Sequence, residues 1–285
     1  VSRGVLRRVI QTGEPVSVTE REVPSSVRDS MVRSGASSVL CVPITSGHKV
    51  YGVLYVDRIL DGRPFRQETV EELAPLMALV SLKLENLRLV EEQVQAQLNR
   101  RELEIAQSVQ RRFLPAKGLY LTGYSFEAYS QPCRYVGGDC LDYLIGTDGK
   151  LTFAVGDVSG KGLPAALYMI GVLSTMRAHI IDGFPLDVVM EKLERYVRSR
   201  FSSDHFLSLF LAELDTDRGV LTYCNAGHVL PVVFKPDGGV VEFEERAPAL
   251  NITPWQSFPR TEYLMSPGDL LLVYTDGIIE KQDDQ

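Results

Sequence analysis

The stretch Leu151-Thr152-Phe153-Ala154-Val155-Gly156-Asp157-Val158-Ser159-Gly160-Lys161-Gly162-Leu163-Pro164 reads as an apolar strand, a glycine loop and the start of a helix. The apolar run closes on an aspartate. A carboxylate delivered to the exit of a buried strand is costly to keep unless something compensates its charge. Two other runs end the same way. Asp139 closes Tyr135-Val136-Gly137-Gly138-Asp139, and Asp276 follows Leu270-Leu271-Leu272-Val273-Tyr274-Thr275 and precedes Gly277. Three such aspartates predict a metal site at one edge of a sheet, and with it a hydrolase acting on phosphate. Spacing alone leaves a second reading open, because Asp-Gly is also a common turn signal.

Working outward, Leu163 to Ile181 reads as a helix with Pro164 suited to its first turn. Pro185 to Phe201 reads as a second helix, with Leu186, Val189, Leu193 and Val197 on one face. Phe206 to Leu214 is apolar on both faces, as a central strand requires. Val220 to Asn225 pairs with it across Asp215–Gly219. Val232 to Lys235 and Val240 to Phe243 form a hairpin through Pro236-Asp237-Gly238-Gly239. Ser125 to Ser130, Lys150 to Val155 and Leu270 to Tyr274 complete the expected strands, the last of them buried. Two adjacent helices among mostly antiparallel strands predict α+β layers rather than a doubly wound sheet.

On the N-terminal side, Ser37 to Ile44 and Val50 to Asp57 read as a hairpin turned by Ser46-Gly47-His48-Lys49. Phe65 leads into a helix whose buried face carries Val70, Leu73, Leu76, Met77, Val80 and Leu84. No proline or glycine interrupts Ala78 through Leu114, and Pro115 ends the run. Val80, Leu84, Leu87, Glu91, Val94, Leu98, Arg101, Ile105 and Ser108 alternate four and three apart, an imperfect heptad seam. A coiled-coil dimer is one reading, and a lone amphipathic linker helix is the other.

The whole chain bounds these readings. Its 285 residues leave room for about two domains. It is 45% hydrophobic and 24% charged, as soluble globular proteins are, and its net charge of −7 does not suggest a nucleic-acid surface. Cys41, Cys133, Cys140 and Cys224 form no CxxC pair, so buried or surface thiols in a reducing compartment are expected. No apolar run reads as a membrane span and no signal-peptide pattern is present. A cytoplasmic protein is the expectation. Because the sequence opens in mid-pattern at Val1, it is expected to be a fragment.

Phosphate monoester hydrolysis brings a nucleophile to a dianion. Two divalent cations about 3.5–4 Å apart can clamp the phosphate and lower the pKa of a water. Magnesium and manganese take oxygen ligands and keep several waters, so few carboxylates suffice. Glycines beside the three aspartates would let hydrated ions approach the backbone. A nucleotide phosphate loop fits 156–164 poorly. The first glycine stands too close to Gly160-Lys161, and Gly162 occupies the place of the magnesium-binding hydroxyl.

Four motifs in order carry a family resemblance. They are Val136-Gly137-Gly138-Asp139-Cys140-Leu141-Asp142, Val155 to Leu167, Asn225-Ala226-Gly227-His228, and Tyr274-Thr275-Asp276-Gly277-Ile278-Ile279-Glu280. Over roughly residues 100–285 the chain resembles the bacterial PPM-type (protein phosphatase 2C-like) serine/threonine phosphatases of the RsbU/SpoIIE family. The resemblance implies a β-sandwich flanked by helices with two Mn2+ or Mg2+ ions between its sheets. It implies that Asp157 bridges both metals and that the backbone carbonyl of Val158 binds one. Asp139 and Asp276 would be flanking ligands, with Asp139 and Asp157 acting catalytically through a metal-bound water. Asp142 is expected as a cap or hydrogen-bond partner more than a ligand. His228 is expected in a structural loop role, with proton transfer as the alternative. Lys161 would meet substrate charge or stay a solvated loop residue. The family's last metal-binding aspartate has no counterpart before Gln285, and Asp283 and Asp284 read as a solvated tail. The expected fragment would then hold metal weakly or be inactive.

Residues Ser37–Ile44, Tyr51–Asp57 and the helix after them resemble the C-terminal half of a GAF domain. Glu102–Ala106 and Val109–Pro115 resemble the helix that precedes the catalytic domain in this family. The expected order is a partial GAF sensor over residues 1–80, a helical linker over 81–115, and a PPM-type α-β-β-α sandwich over 116–285 lacking its C-terminal part. The resemblance implies a phosphorylated protein substrate, often an anti-sigma-factor antagonist. It also implies a homodimer through the linker helix and GAF domain, and an unknown small GAF ligand. No nucleic-acid or membrane partner is expected. Hydrolysis would run in line without a phosphoenzyme. The alternatives are a pseudophosphatase that binds a partner, or a dimerising sensor module.

Overall fold

The protein is described by a computed structural model covering all residues except 48, 60–62, 116–117, 133–134, 147, 254–256 and 279–285. His48, Cys133, Ile279, Glu280, Asp283 and Asp284 therefore lie outside the described residues. The chain divides into two compact units, Val1–Asn99 and Arg100–Gln285.

The first unit holds α1 (Arg3–Thr12), β1 (Val16–Thr19), α2 (Ser25–Ser34), β2 (Ser38–Ser46), β3 (Lys49–Arg58) and most of α3 (Gln67–Gln110). Its antiparallel sheet runs in the order β1-β2-β3. Strand alternation sends Val39 and Cys41 of β2 to a core with Val5, Val9 and Met31. Leu40 and Val42 go to the opposite face, against Val70. The expected hairpin is present, with a register shift between Ile44 and Thr45. Elements α1, β1 and α2 were not foreseen.

Helix α3 has 44 residues and contains Pro75. It stops at Gln110 rather than Leu114. Arg112 and Phe113 bond three residues back, to Val109 and Gln110, which tightens the last turn and ends the α-helical ladder. The apolar members of the heptad seam, Val80 to Ile105, are all exposed within the single chain.

The second unit continues with β4 (Leu119–Leu121), β5 (Tyr124–Phe126), β6 (Asp139–Ile145), β7 (Leu151–Val158), α4 (Leu163–Ile181), α5 (Leu186–Arg200), β8 (Leu207–Asp215) and β9 (Val220–Ala226). Then come β10 (Val232–Phe234), β11 (Val240–Glu242), β12 (Thr261–Leu264) and β13 (Leu270–Leu272). A five-stranded sheet has the order β12-β9-β8-β7-β6, a three-stranded sheet β11-β10-β13, and β4-β5 form a ribbon. All strand pairings in the three are antiparallel.

One face of the five-stranded sheet packs on α4 and α5 through Ala154, Val158, Leu209, Leu211, Met169, Leu173 and Leu193. The other face packs on the smaller sheet through Phe153, Phe210, Tyr223, Val233 and Phe243. Phe243 stacks on Tyr223 with ring centroids 4.6 Å apart. The described layers are α-β-β, in an α+β arrangement. Strand β8 sits at the centre of its sheet with Leu207, Leu209, Phe210 and Leu211 fully buried, as its two-faced apolar sequence requires.

Several expectations need correction. Strand β5 ends at Phe126 and β7 continues through Val158. Asp139 opens β6 instead of closing a strand. Strand β13 is an edge strand and is not buried: Leu271 and Val273 face the core, while Leu270 is 64% exposed. An apolar run cannot by itself separate an edge strand from a central one. Helix α4 is long and apolar enough to cross a membrane by length and composition, contrary to the sequence reading. Ala165, Met169, Val172, Leu173 and Met176 bury one of its faces in the core described above.

Candidate functional site

Antiparallel pairing of β6 and β7 places Asp139 directly opposite Asp157, and β8 places Ser208 beside Asp157. Residues opposite one another project from the same face. By alternation this is the face of Phe153 and Phe210, turned toward the smaller sheet. The row therefore lies at one end of the inter-sheet space. Asp276 follows β13 of that smaller sheet, in a 3-10 turn at Asp276–Ile278, and is exposed.

Asp139 and Asp157 are half-buried. Burial, then Asp139, then Asp276, push the Asp157 carboxyl up to about 7, while the Lys161 charge and the Val158 amide pull it down. Burial and Asp276 likewise raise Asp139. These carboxylates thus repel one another across a partly desolvated space. Lys161 is exposed in the loop between β7 and α4. In that loop Gly160 and Gly162 both adopt positive φ, at 100° and 79°, and Gly162 caps α4.

Gly138 supplies the room beside these groups. A Cβ there would stand 2.5 Å from the Val158 carbonyl oxygen and 3.1 Å from Asp157 Oδ1. The paired Asp139 and Asp157 carboxylates and the Val158 carbonyl offer oxygen donors here, and Asp276 is near enough to raise both carboxyls. That set suits a hard divalent cation, and the cradle opened by Gly138 fits one at Val158. Among the described residues no three acidic, histidine or cysteine side chains converge on one point. Magnesium and manganese retain several waters, so few protein ligands suffice for such an ion.

Asp142 lies three residues along β6 and is 2% exposed. Alternation turns it to the helical face, where Arg177 of α4 grips it through Nε at 2.9 Å and Nη2 at 2.5 Å. The Tyr143 amide donates to it at 2.8 Å. Its charge is compensated within the fold, and it is not part of the aspartate row.

His228 is 1% exposed. Asn225 fixes its backbone, accepting from the His228 amide at 2.8 Å and donating to its carbonyl at 3.3 Å. Gly227 between them has φ +64° and lies against Ala249, where a Cβ would come within 2.6 Å of the Ala249 amide. The Asn-Ala-Gly-His motif is thus a self-clamped turn. His228 Nδ1 meets Ser208 Oγ at 3.1 Å. Burial pushes the ring down to about 4, against the Tyr274 carbonyl and Asp276, so it is neutral. Its Nε2 has no hydrogen bond of ordinary geometry among the described residues.

Ser208 and Arg177 were not foreseen. A lone serine inside Phe206-Leu207-Ser208-Leu209-Phe210 was a usable signal, because a polar residue on a two-faced apolar strand needs a partner. Cys41, Cys140 and Cys224 are free and buried.

Comparison with known proteins adds independent findings. Residues 1–84 match the GAF domain family, and residues 147–285 match the family described as Stage II sporulation protein E (SpoIIE). The latter range includes Asp157 and Asp276 but not Asp139. Protein IcfG of Synechocystis sp. is 27% identical over 219 residues, covering 67% of this chain and 34% of the relative. Phosphoserine phosphatase RsbU of Bacillus subtilis is 27% identical over 180 residues, covering 63% of this chain and 53% of the relative. The chain thus spans about half or less of the length of these curated relatives. The SiaA-PP2C domain of Pseudomonas aeruginosa superposes with a TM-score of 0.52 at 20% identity, over 65% of this chain and 74% of that one. That likeness is one of fold.

Proposed function

We propose that this chain, which belongs to the SpoIIE family over residues 147–285 and carries a GAF domain over residues 1–84, is a manganese- or magnesium-dependent protein serine/threonine phosphatase. The observation that carries the proposal is the pairing of Asp139 with Asp157 at the sheet end, two opposed, half-buried carboxylates that burial and the neighbouring Asp276 push up. The relative RsbU, named a phosphoserine phosphatase, supports the substrate class.

In this reading Asp157, Asp139 and Asp276 would hold the cations, with the Val158 carbonyl as a further donor. Two divalent cations bound there would polarise the phosphoryl oxygens and lower the pKa of a water. The chain contributes fixed positions. The strand pairing holds Asp139 and Asp157 in register, and the Asn225 clamp holds His228 against Ser208 beside them. Neutral His228 adds no competing positive charge. Lys161 is exposed next to Asp157 and would attract a phosphorylated side chain. Asp142 takes a structural role.

The proposed substrate is phosphoserine or phosphothreonine on a signalling protein of the anti-sigma-factor antagonist type. The proposed organisation is a GAF sensor over 1–80, a helical linker over 81–115 and the catalytic domain over 116–285. Exposed Val80, Leu84, Leu87, Val94, Leu98 and Ile105 along α3 support a homodimer through that helix. A small ligand at the GAF domain and a cytoplasmic location complete the proposal.

The test is hydrolysis of a phosphoserine peptide by the intact protein with and without Mn2+. Asp157→Asn should reduce the metal-dependent rate to background. Undiminished activity in that variant would sink the proposal.

A further inference from the structure

The last residue of α3 reaches into the site. Gln110 is 4% exposed, and its carboxamide spends both ends on one residue 27 positions away. Nε2 donates to the Gly137 carbonyl at 2.6 Å, and Oε1 accepts from the Gly137 amide at 3.3 Å. A glutamine at a helix end would ordinarily bond its own last carbonyls or water. Here both ends of the side chain bond Gly137 instead, and a long side chain is ordered at an entropic cost to grip a neighbouring backbone.

The gripped segment is the one that carries the site. Gly137 and Gly138 lead directly into Asp139, the first residue of β6, and β6 is the edge of its sheet. The β7 side of this segment is already bonded: Val158 N donates to the Gly138 carbonyl at 3.2 Å. On the outer side no strand neighbours it among the described residues, and the Gln110 amide takes that place. Two consecutive glycines are the most conformationally free pair a chain can offer. Side-chain bulk cannot hold them, because Gly138 must stay bare to clear the Val158 carbonyl and Asp157. Their position has to come from backbone bonds, and Gln110 supplies two of them.

We infer that Gln110 is a positioning residue for the metal-binding end of the sheet, setting Asp139 through the Gly137–Gly138 backbone. The inference rests on the reading of Asp139, Asp157 and the Val158 carbonyl as cation ligands. It also makes the terminal residue of α3 a direct determinant of that site's geometry.

The test is calorimetric Mn2+ titration of the intact protein, paired with the Mn2+ dependence of phosphoserine-peptide hydrolysis. Gln110→Leu should weaken Mn2+ binding by about 10–100-fold, the range seen when partners that orient metal ligands are lost. The rate at saturating Mn2+ should fall far less, so the defect appears as a raised metal requirement. Gln110→Glu keeps the acceptor for the Gly137 amide and loses the donor to its carbonyl. It should fall between wild type and Gln110→Leu, a grading that mere loss of packing would not produce. If Gln110→Leu does not fold, the isosteric Gln110→Glu decides alone. Wild-type Mn2+ affinity in the folded variants overturns the inference while leaving the site reading intact. Absence of Mn2+ binding by the wild type overturns both.

Discussion

Two carboxylates three residues apart on β6 have opposite fates. Asp142 faces the helices, fully buried, and Arg177 holds it from two directions. Asp139 faces the inter-sheet space, half-buried, opposite a second carboxylate. Both sit on one short strand of one sheet, and only the face differs. A buried charge with its own partner is part of the structure. Charges crowded together repel one another, and an external cation would relieve that repulsion. The contrast separates a structural aspartate from ligand candidates where sequence motifs list them side by side.

The two faces should respond differently to the same kind of change. The largest expected effect is that of Asp157→Asn on activity. Metal-dependent hydrolysis should fall by at least about 100-fold, beyond what loss of an outer-shell partner costs. Steady-state rates at saturating Mn2+ check this, and the thermal midpoint should not collapse. The converse holds for Asp142→Ala. Removing it strands Arg177 and the Tyr143 amide, which should cost about 2–3 kcal/mol of stability, within the range for a lost hydrogen bond to a charged group. Urea unfolding would register that loss, while Mn2+ affinity of the folded protein should be unchanged. A large Mn2+ defect in Asp142→Ala would erase the distinction between the faces.

A smaller effect concerns pH. The folded state holds the Asp157 proton up to about 7, well above the ordinary 3.8. It therefore binds that proton more tightly than the unfolded chain. Metal-free protein should lose stability as pH rises from about 4 to about 7. His228 acts in the opposite sense. Its pKa falls from 6.5 to about 4, so it costs stability as pH drops through that window. The difference between wild type and Asp157→Asn isolates the carboxylate. Above pH 7, metal-free Asp157→Asn should melt higher than metal-free wild type in scanning calorimetry. Equal midpoints would mean the carboxylates do not strain the empty site. The smallest effect expected is that of Ser208→Ala, which removes one partner of neutral His228 and should cost about 1 kcal/mol. Urea unfolding of that variant reads it directly.

Much of this was legible in the sequence where local rules decide the outcome. Strand β8 declared itself because both of its faces are apolar. The hairpin of β10 and β11 declared itself through Pro236-Asp237-Gly238-Gly239, and Gly238 adopts φ +88° as such a turn requires. Asp139, Asp157 and Asp276 were singled out by their glycine neighbours and motif order, and the strand pairing sets Asp139 opposite Asp157. What was illegible depends on partners distant in sequence. Arg177 meets Asp142 across 35 residues, and Gln110 meets Gly137 across 27, and no local pattern announces either. The start of β6 was misplaced because the run Tyr135–Asp139 reads as ending on Asp139, where the strand instead begins. Strand β13 read as buried because an apolar run carries no record of how many neighbours the strand will have.

Calorimetric titration of Mn2+ into metal-free intact protein, alongside Asp157→Asn, tests the central claim most directly. The account predicts binding to two sites in the wild type and loss of that binding in the variant. A wild type that takes up no Mn2+, or a variant that binds it as the wild type does, would contradict it.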